Sequence, residues 1–282
     1  MSKRVLTIQD ISCVGQCSLT VALPVISATG IETCVLPSAV LSTHTGGKFT
    51  NFTFRDLTED IPKINKSWLE SNQKFDYIYT GYIGSAKQID YIEDIINSCL
   101  NENGQVIIDP VMGDLGKFYS GFDMNYAKKM RGFCGKADII MPNLTEASFL
   151  LDIPYIGENF NKSYIDEILI KLSNLGAKKV VLTGVSFNKD ELGVAIYDTT
   201  SKSTNYCFNK KINKSFHGTG DLFASSLVGA IANDVHILEA VKIATEFVFE
   251  AISATMENYD TDHWYGVRFE KALPYLMRKL NK

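Results

Sequence analysis

The chain has 282 residues and a formal charge of −4 at pH 7, with 45% hydrophobic and 21% charged residues. That length builds one or two domains around a large core, and the mild acidity argues against a general nucleic-acid binder while leaving local phosphate binding open. No stretch approaches the roughly 20 apolar residues of a membrane helix.

In chain order, "RVLTIQD" (4–10) reads as a buried strand ending at Asp10, and "SLTVALPVISATG" as a helix stopped by Gly30. "ETCVLPSAVL" is β-rich, and "STHTGGKFTNFTFRDLT" (42–58) reads as a flap or long loop. "FDYIYTGYIGS" is a strand entering a glycine turn, and "AKQIDYIEDIINSCLNENG" (86–104) an amphipathic helix stopped by Gly104. "QVIIDPVMGD", "ADIIMPN" and "KKVVLTG" are further apolar strands, the last preceded by the helix "SYIDEILIKLSNLGA". "LGVAIYD" and "STNYCFNK" look like a hairpin, and from about Thr219 the chain reads as mostly helical. The alternation predicts a single domain over 1–282, α/β, with a mostly parallel sheet covered on both faces and a small flap from residues near 12–18 and 42–56. In such sheets function collects beyond the strand ends. Here those ends carry Asp10, Thr80-Gly81, Asp109, Asn143 and Thr183-Gly184.

The six cysteines form no Cys-x-x-Cys pair, which argues against a zinc ribbon or redox motif. "MSKRVLTIQD" lacks the apolar run of a secretory signal, so reduced thiols and a cytoplasmic location are expected.

"HGTGDLFASSLVGAIA" (217–232) places glycines and Asp221 at the start of a helix of small and apolar residues. Glycines allow several amides to converge, and a helix start adds its own free amides and positive dipole end, so the stretch suits an anion such as phosphate. It is not a Walker A loop. An ordinary loop-to-helix junction is the plainer reading of the stretch alone. Asn143 and Glu146 have capping-box spacing. Asp109-Pro110 is also a common turn pair, and a polar loop usually leaves its histidine, here His44, on the surface.

Together, "GTGD" (218–221), "DPVMGD" (109–114), "NLTEA" (143–147), "TGYIGS" (80–85) and "STHTGG" (42–47) resemble the vitamin-kinase branch of the ribokinase-like superfamily, which contains pyridoxal and hydroxymethylpyrimidine kinases. The resemblance runs from Val5 to about Ala254 and implies a three-layer α/β/α fold. It implies ATP-dependent phosphorylation of the 5′-hydroxymethyl group of a vitamin B6 form. Amides of Gly218, Thr219 and Gly220 would stabilise the migrating phosphoryl group, and Asp221 would activate the hydroxyl. Asp10, His44, Thr45 and Tyr82 would bind the vitamin. Asp109, Asn143, Glu146, Thr183 and Gly184 would face ATP, with Asp109 and Glu146 organising Mg2+, Glu146 through water. A monovalent cation stays open, and a homodimer is implied. Asp114, Lys117, Tyr119, His217 and the lysines at 210, 211 and 214 stand between a site role and mere surface, whereas His236 and His263 look structural. Two residues depart from the pattern: Asp10 where many pyridoxal kinases have Ser, and Gly46 where many have Gln. Hydroxymethylpyrimidine kinase therefore stays open as an alternative, as does a catalytically silent binding protein of the same fold.

Overall fold

The computed structural model describes residues 3–157, 159–257 and 264–281. Nine strands form one sheet: β1 (Arg4–Val14), β2 (Glu32–Thr43), β3 (Phe54–Asp56), β4 (Phe75–Thr80), β5 (Leu100–Ile108), β8 (Ile139–Ile140), β9 (Lys179–Val185), β10 (Glu191–Asp198) and β11 (Ser203–Lys210). A small separate hairpin joins β6 (Gly113–Asp114) to β7 (Lys117–Phe118). The sheet order is β11-β10-β9-β8-β5-β4-β1-β2-β3, parallel from β9 to β2 and antiparallel at both edges.

The strands are buried on both sides, with alternate residues entering two cores. Tyr77, Tyr79, Ile107 and Val181 join one core, and Ile78, Val106, Ile108, Val180 and Leu182 the other. The first core is covered by α1 (Leu19–Ala28), α7 (Thr219–Ala232), α8 (Ile237–Glu257) and α9 (Leu273–Lys279). The second is covered by α2 (Ile61–Glu70), α3 (Ala86–Cys99), α4 (Met124–Cys134), α5 (Leu144–Leu151) and α6 (Lys162–Ser173). Right-handed crossovers explain the division. From β1 the chain moves to β2 through α1, whereas from β4 it moves the opposite way, to β5, through α3. Opposite directions require opposite faces. The sheet thus reverses its winding between β1 and β4, the switch point beyond whose strand ends α/β sheets place their ligand crevice.

Three sequence expectations change. Asp10 does not end its strand: β1 continues to Val14, leaving β4 after Ile8 and pairing on with β2 across a register irregularity between Gln9 and Ile11. This projecting ribbon, with β3 against β2, is the flap. The helix expected over 86–104 stops at Cys99, because Leu100 turns extended (φ −74°, ψ 136°) and pairs with Phe75. Helices α2 and α4 arise in stretches without a sequence assignment. Among the described residues no helix is long and apolar enough to cross a membrane.

Candidate active site

The two glycines before Asp221 serve different purposes. Gly218 is the N-cap of α7 at φ +77°, and a Cβ there would collide with the Gln16 carbonyl oxygen. Only glycine combines that backbone conformation with that approach. Gly220 has a helical backbone, and a Cβ on it would meet nothing within 4 Å. The first bond of the helix runs from the Leu222 N–H to the Gly218 carbonyl at 2.9 Å. The amides of Gly218, Thr219, Gly220 and Asp221 have no acceptor among the described residues. Four unspent donors at a helix start form an anion cradle. Behind it, every residue of α7 from Leu222 to Ala232 is buried. Gly229 lets Thr29 of the neighbouring helix end approach closely.

Asp221 is half-buried beside this cradle. Burial raises its pKa to about 6, the nearby Ser18 N–H opposes the rise, and Asp10 adds to it. Asp10 is 6% exposed and accepts from the Ser12 hydroxyl at 3.0 Å. Its pKa is also raised, by burial against the nearby Ser18 and Ser12 hydroxyls. Tyr82 is half-buried, and its phenol is pushed up to about 12 by burial and by the charges of Asp10 and Asp56. Asp10, Tyr82 and Asp221 therefore belong to one neighbourhood.

A second pair of carboxylates lies at the ends of β5 and β8. Asp109 is 9% exposed, and among the described residues no hydrogen-bond donor or basic side chain meets its carboxylate. Burial holds its pKa well above the usual range, with Glu146 and then Asp221 adding to it. Glu146 is more buried still, and its pKa rises to about 8 despite the opposing N–H groups of Asn143, Met112 and Gly113. The capping box is real: Asn143 Oδ1 accepts from the Glu146 N–H at 2.9 Å, and Glu146 Oε2 accepts from the Asn143 N–H at 2.9 Å. Glu146 Oε1 reaches the Met112 N–H at 3.1 Å, and Asn143 Nδ2 donates to the Gly113 carbonyl at 2.9 Å. The cap thereby ties α5 to the loop after β5.

Around this pair, Asn143 bridges to Thr183, whose N–H donates to the Pro142 carbonyl at 2.9 Å. Gly184 follows at φ +76° with open space where a Cβ would stand. Asp114 and Lys117 lie exposed on the small hairpin. Tyr119 is 44% exposed; burial raises its pKa, and Glu146, Asp114, Asp109 and Asp221 add to the rise, which places it near these carboxylates. Among the described residues no three His, Cys, Asp or Glu side chains gather as a metal cluster.

The flap carries a surprise. His44 is 7% exposed, not a surface histidine. Its Nδ1 accepts from the Gly46 N–H at 3.1 Å, while among the described residues Nε2 is buried without a hydrogen-bond partner. Burial and the neighbouring His217 lower its pKa, and burial lowers that of His217. The two imidazoles lie 4.9 Å apart between centroids. Trp264 packs against Phe49 at 4.7 Å and His44 at 5.9 Å, with Gly47 pressed onto its ring. The flap is thus joined to the residue preceding the anion cradle. Thr45 is exposed and takes no part in this cluster. Lys210 ends β11 in solvent, Lys214 lies over the Phe216 ring, and His236 accepts from the Leu238 N–H at 3.4 Å. His263 lies outside the described residues. Sequence reasoning missed Trp264, because a tryptophan far down the chain carries no sign of its partner.

The family model described as phosphomethylpyrimidine kinase matches residues 28–266. The crystal structure of pyridoxal kinase from Lactobacillus plantarum is 31% identical, with a TM-score of 0.89, covering 98% of this chain and 97% of that one. A Bacteroides thetaiotaomicron protein, provisionally described as a phosphomethylpyrimidine kinase and crystallised with pyridoxal, is 36% identical with a TM-score of 0.92, covering 98% and 96%. Pyridoxal kinase from Dictyostelium discoideum is 28% identical over 243 residues, 81% of this chain and 78% of its own.

Proposed function

Because the chain belongs to the family of the phosphomethylpyrimidine and pyridoxal kinases, we propose that it transfers the γ-phosphoryl group of ATP to the 5′-hydroxymethyl group of pyridoxal, pyridoxine or pyridoxamine. The observation that carries this reading is the open amide cradle of Gly218–Asp221 with the Asp221 carboxylate beside it.

Phosphoryl transfer rests on alignment and charge stabilisation. The hydroxymethyl oxygen bonds to phosphorus as the bond from phosphorus to the leaving ADP oxygen breaks. Asp221 takes the hydroxyl proton, and a pKa near 6 makes it a stronger base than an ordinary carboxylate at neutral pH. The cradle amides receive the negative charge on the migrating group. Asp10 and Tyr82 orient the ring, His44 closes the flap side, and the flap excludes water. Thr183 and Gly184 border the open surface for the nucleotide. Two buried carboxylates without a basic partner, both hard oxygen donors, suit Mg2+, which takes its remaining ligands from phosphate and water. Asp109 would hold it directly and Glu146 through water. Bound there, it would neutralise phosphate charge.

The pyridine reading is favoured over the pyrimidine one by relatives named pyridoxal kinase and by the neighbour crystallised with pyridoxal. A silent binding protein would not need to keep the cradle. The reading includes a homodimer, and Val14, Phe52 and Phe54, exposed on the flap, are apolar surface that such an assembly would cover. We assign the activity to the cytoplasm, which the free thiols support.

The test is ADP release with Mg-ATP and each of pyridoxal, pyridoxine, pyridoxamine and hydroxymethylpyrimidine, with Asp221→Asn as control. Turnover of a B6 form, lost in the variant, is expected. Turnover of the pyrimidine alone would overturn the substrate, and an equally active variant would overturn the role of Asp221.

A further inference from the structure

Residues 81–85, between β4 and α3, belong to neither strand nor helix, and they carry Tyr82. An irregular loop is fixed by where its backbone hydrogen bonds go. Here three successive residues are held by side chains of three other elements. The Ser38 hydroxyl of β2 donates to the Tyr82 carbonyl at 3.1 Å, and the Tyr126 hydroxyl of α4 to the Ile83 carbonyl at 2.7 Å. Gln88 Oε1 of α3 accepts from the Gly84 N–H at 2.8 Å. Gln88 is 1% exposed, and the rest of its carboxamide reaches the flap. Its Nε2 donates to the Ser38 carbonyl at 3.0 Å and to the Thr58 hydroxyl at 2.9 Å. The Thr58 hydroxyl in turn donates to Asp56, the last residue of β3, and the Leu57 N–H meets the Ser38 carbonyl at 3.1 Å. Ser38 sits at the register irregularity of the flap. Gln9 pairs with Pro37 and Ile11 with Val40, so Ser38 and Ala39 together stand opposite Asp10. This is a bulge, which re-aims a strand, and it lies where β1 has already left β4. One buried carboxamide therefore bonds the root of the flap to the loop presenting Tyr82.

We propose that Gln88 is a positioning residue for the acceptor ring: by holding the bulge at Ser38 and the loop at Gly84 together, it sets the spacing between Asp10 and Tyr82. Every donor and acceptor of its carboxamide is spent on this link, so it acts through the groups it holds. A wrong spacing weakens the hold on the ring. It leaves the nucleotide side, at the ends of β5, β8 and β9, as it was.

This inference rests on the reading that Asp10 and Tyr82 orient the ring, and its test separates the two. Gln88→Met keeps the length of the side chain but removes the amide donors and the acceptor oxygen. Ile95→Val, two turns further along α3 in the same core, loosens the helix without touching the network. In Gln88→Met we expect the KM for the vitamer to rise roughly tenfold, as when buried polar groups lose their partner, with the KM for ATP and kcat little changed. Ile95→Val should move none of the three. Ser38→Ala removes only the hydroxyl on the Tyr82 carbonyl and should raise the same KM by about threefold, which decides the matter should Gln88→Met fail to fold. Hydrogen exchange needs no acceptor substrate. In Gln88→Met the amides of Gly84 and of Leu57 should lose protection together while those of β4 keep it. A vitamer KM that stays at the parent value, or moves equally in Ile95→Val, overturns the proposal, as does faster exchange confined to Gly84. If the parent turns over no vitamer, the substrate reading falls, and the joint exchange of Gly84 and Leu57 still decides whether Gln88 couples loop and flap.

Discussion

The crevice holds two pairs of buried or half-buried carboxylates, and they are built differently. On the flap side, the Ser12 hydroxyl meets Asp10, and Asp221 rests near a pKa of 6. On the side of β5 and β8, Asp109 has no described donor, while Glu146 remains near 8 although three amides oppose the rise. A base must lose its proton near neutrality and take it back within each turnover, so moderate stabilisation of the charged form suits it. Asp109, left dry and unpaired among the described residues, is instead suited to a cation, which supplies the missing positive charge when it arrives. On the proposed mechanism the four similar side chains are divided between proton transfer and charge neutralisation.

The sharpest way to break this contrast is Asp221→Asn. Turnover should fall by about 10²–10⁴-fold with the KM for ATP little changed. In the parent, kcat should rise with pH through about 6, as Asp221 becomes free to accept a proton. A flat profile across that range would remove Asp221 from the acceptor side.

Next come the glycines. Gly220→Ala puts a methyl into open space, so folding should be unaffected while turnover drops on the order of 10–100-fold. Gly218→Ala meets both a left-handed backbone and the Gln16 carbonyl, and should cost about 1–3 kcal/mol of stability. Denaturant melts and steady-state kinetics on the two variants should give opposite patterns. Matching patterns would mean that the glycines share one role.

The donor-side pair is tested through pH. Glu146 has a folded-state pKa of about 8, above its unfolded value of about 4.3. The fold therefore holds that proton more tightly than the unfolded chain does. Its contribution is complete below the unfolded value and is lost as pH rises through about 8. Without nucleotide, the melting temperature should fall across that window, and Mg-ATP should restore it. Asp109→Asn should raise the nucleotide-free melting temperature at pH 8 by about 2–4 °C while weakening the dependence on Mg2+. A variant that melts no higher would show that Asp109 is already compensated.

The smallest effect is expected from Asn143→Ala, which removes a cap worth about 1 kcal/mol. Calorimetry should detect that loss, while the kinetic limb near pH 6 stays in place. A shift in that limb would show that the two pairs communicate through α5.

Much of this was legible in the residues. Short apolar strands such as "VVLTG" announce a buried parallel sheet, and "NLTEA" announces the cap that forms. Glycines before Asp221 signal a turn that opens its amides. What stayed hidden depends on partners distant in the chain. Asp10 reads as a strand end because the polarity of "DISCVGQCS" looks like a loop; only pairing with β2 keeps that stretch extended to Val14. His44 looked superficial because neither Trp264 nor His217 is near it in sequence.

The packing of Gly47 on Trp264 also has a spectroscopic consequence. The chain has two tryptophans, and the other, Trp68, sits in α2 against Phe75. Trp264 alone lies among the imidazoles of His44 and His217, and a protonated imidazole quenches indole emission. The flap therefore rests against its own fluorophore. Stopped-flow emission from the unlabelled protein would time the closing of the crevice directly, substrate by substrate.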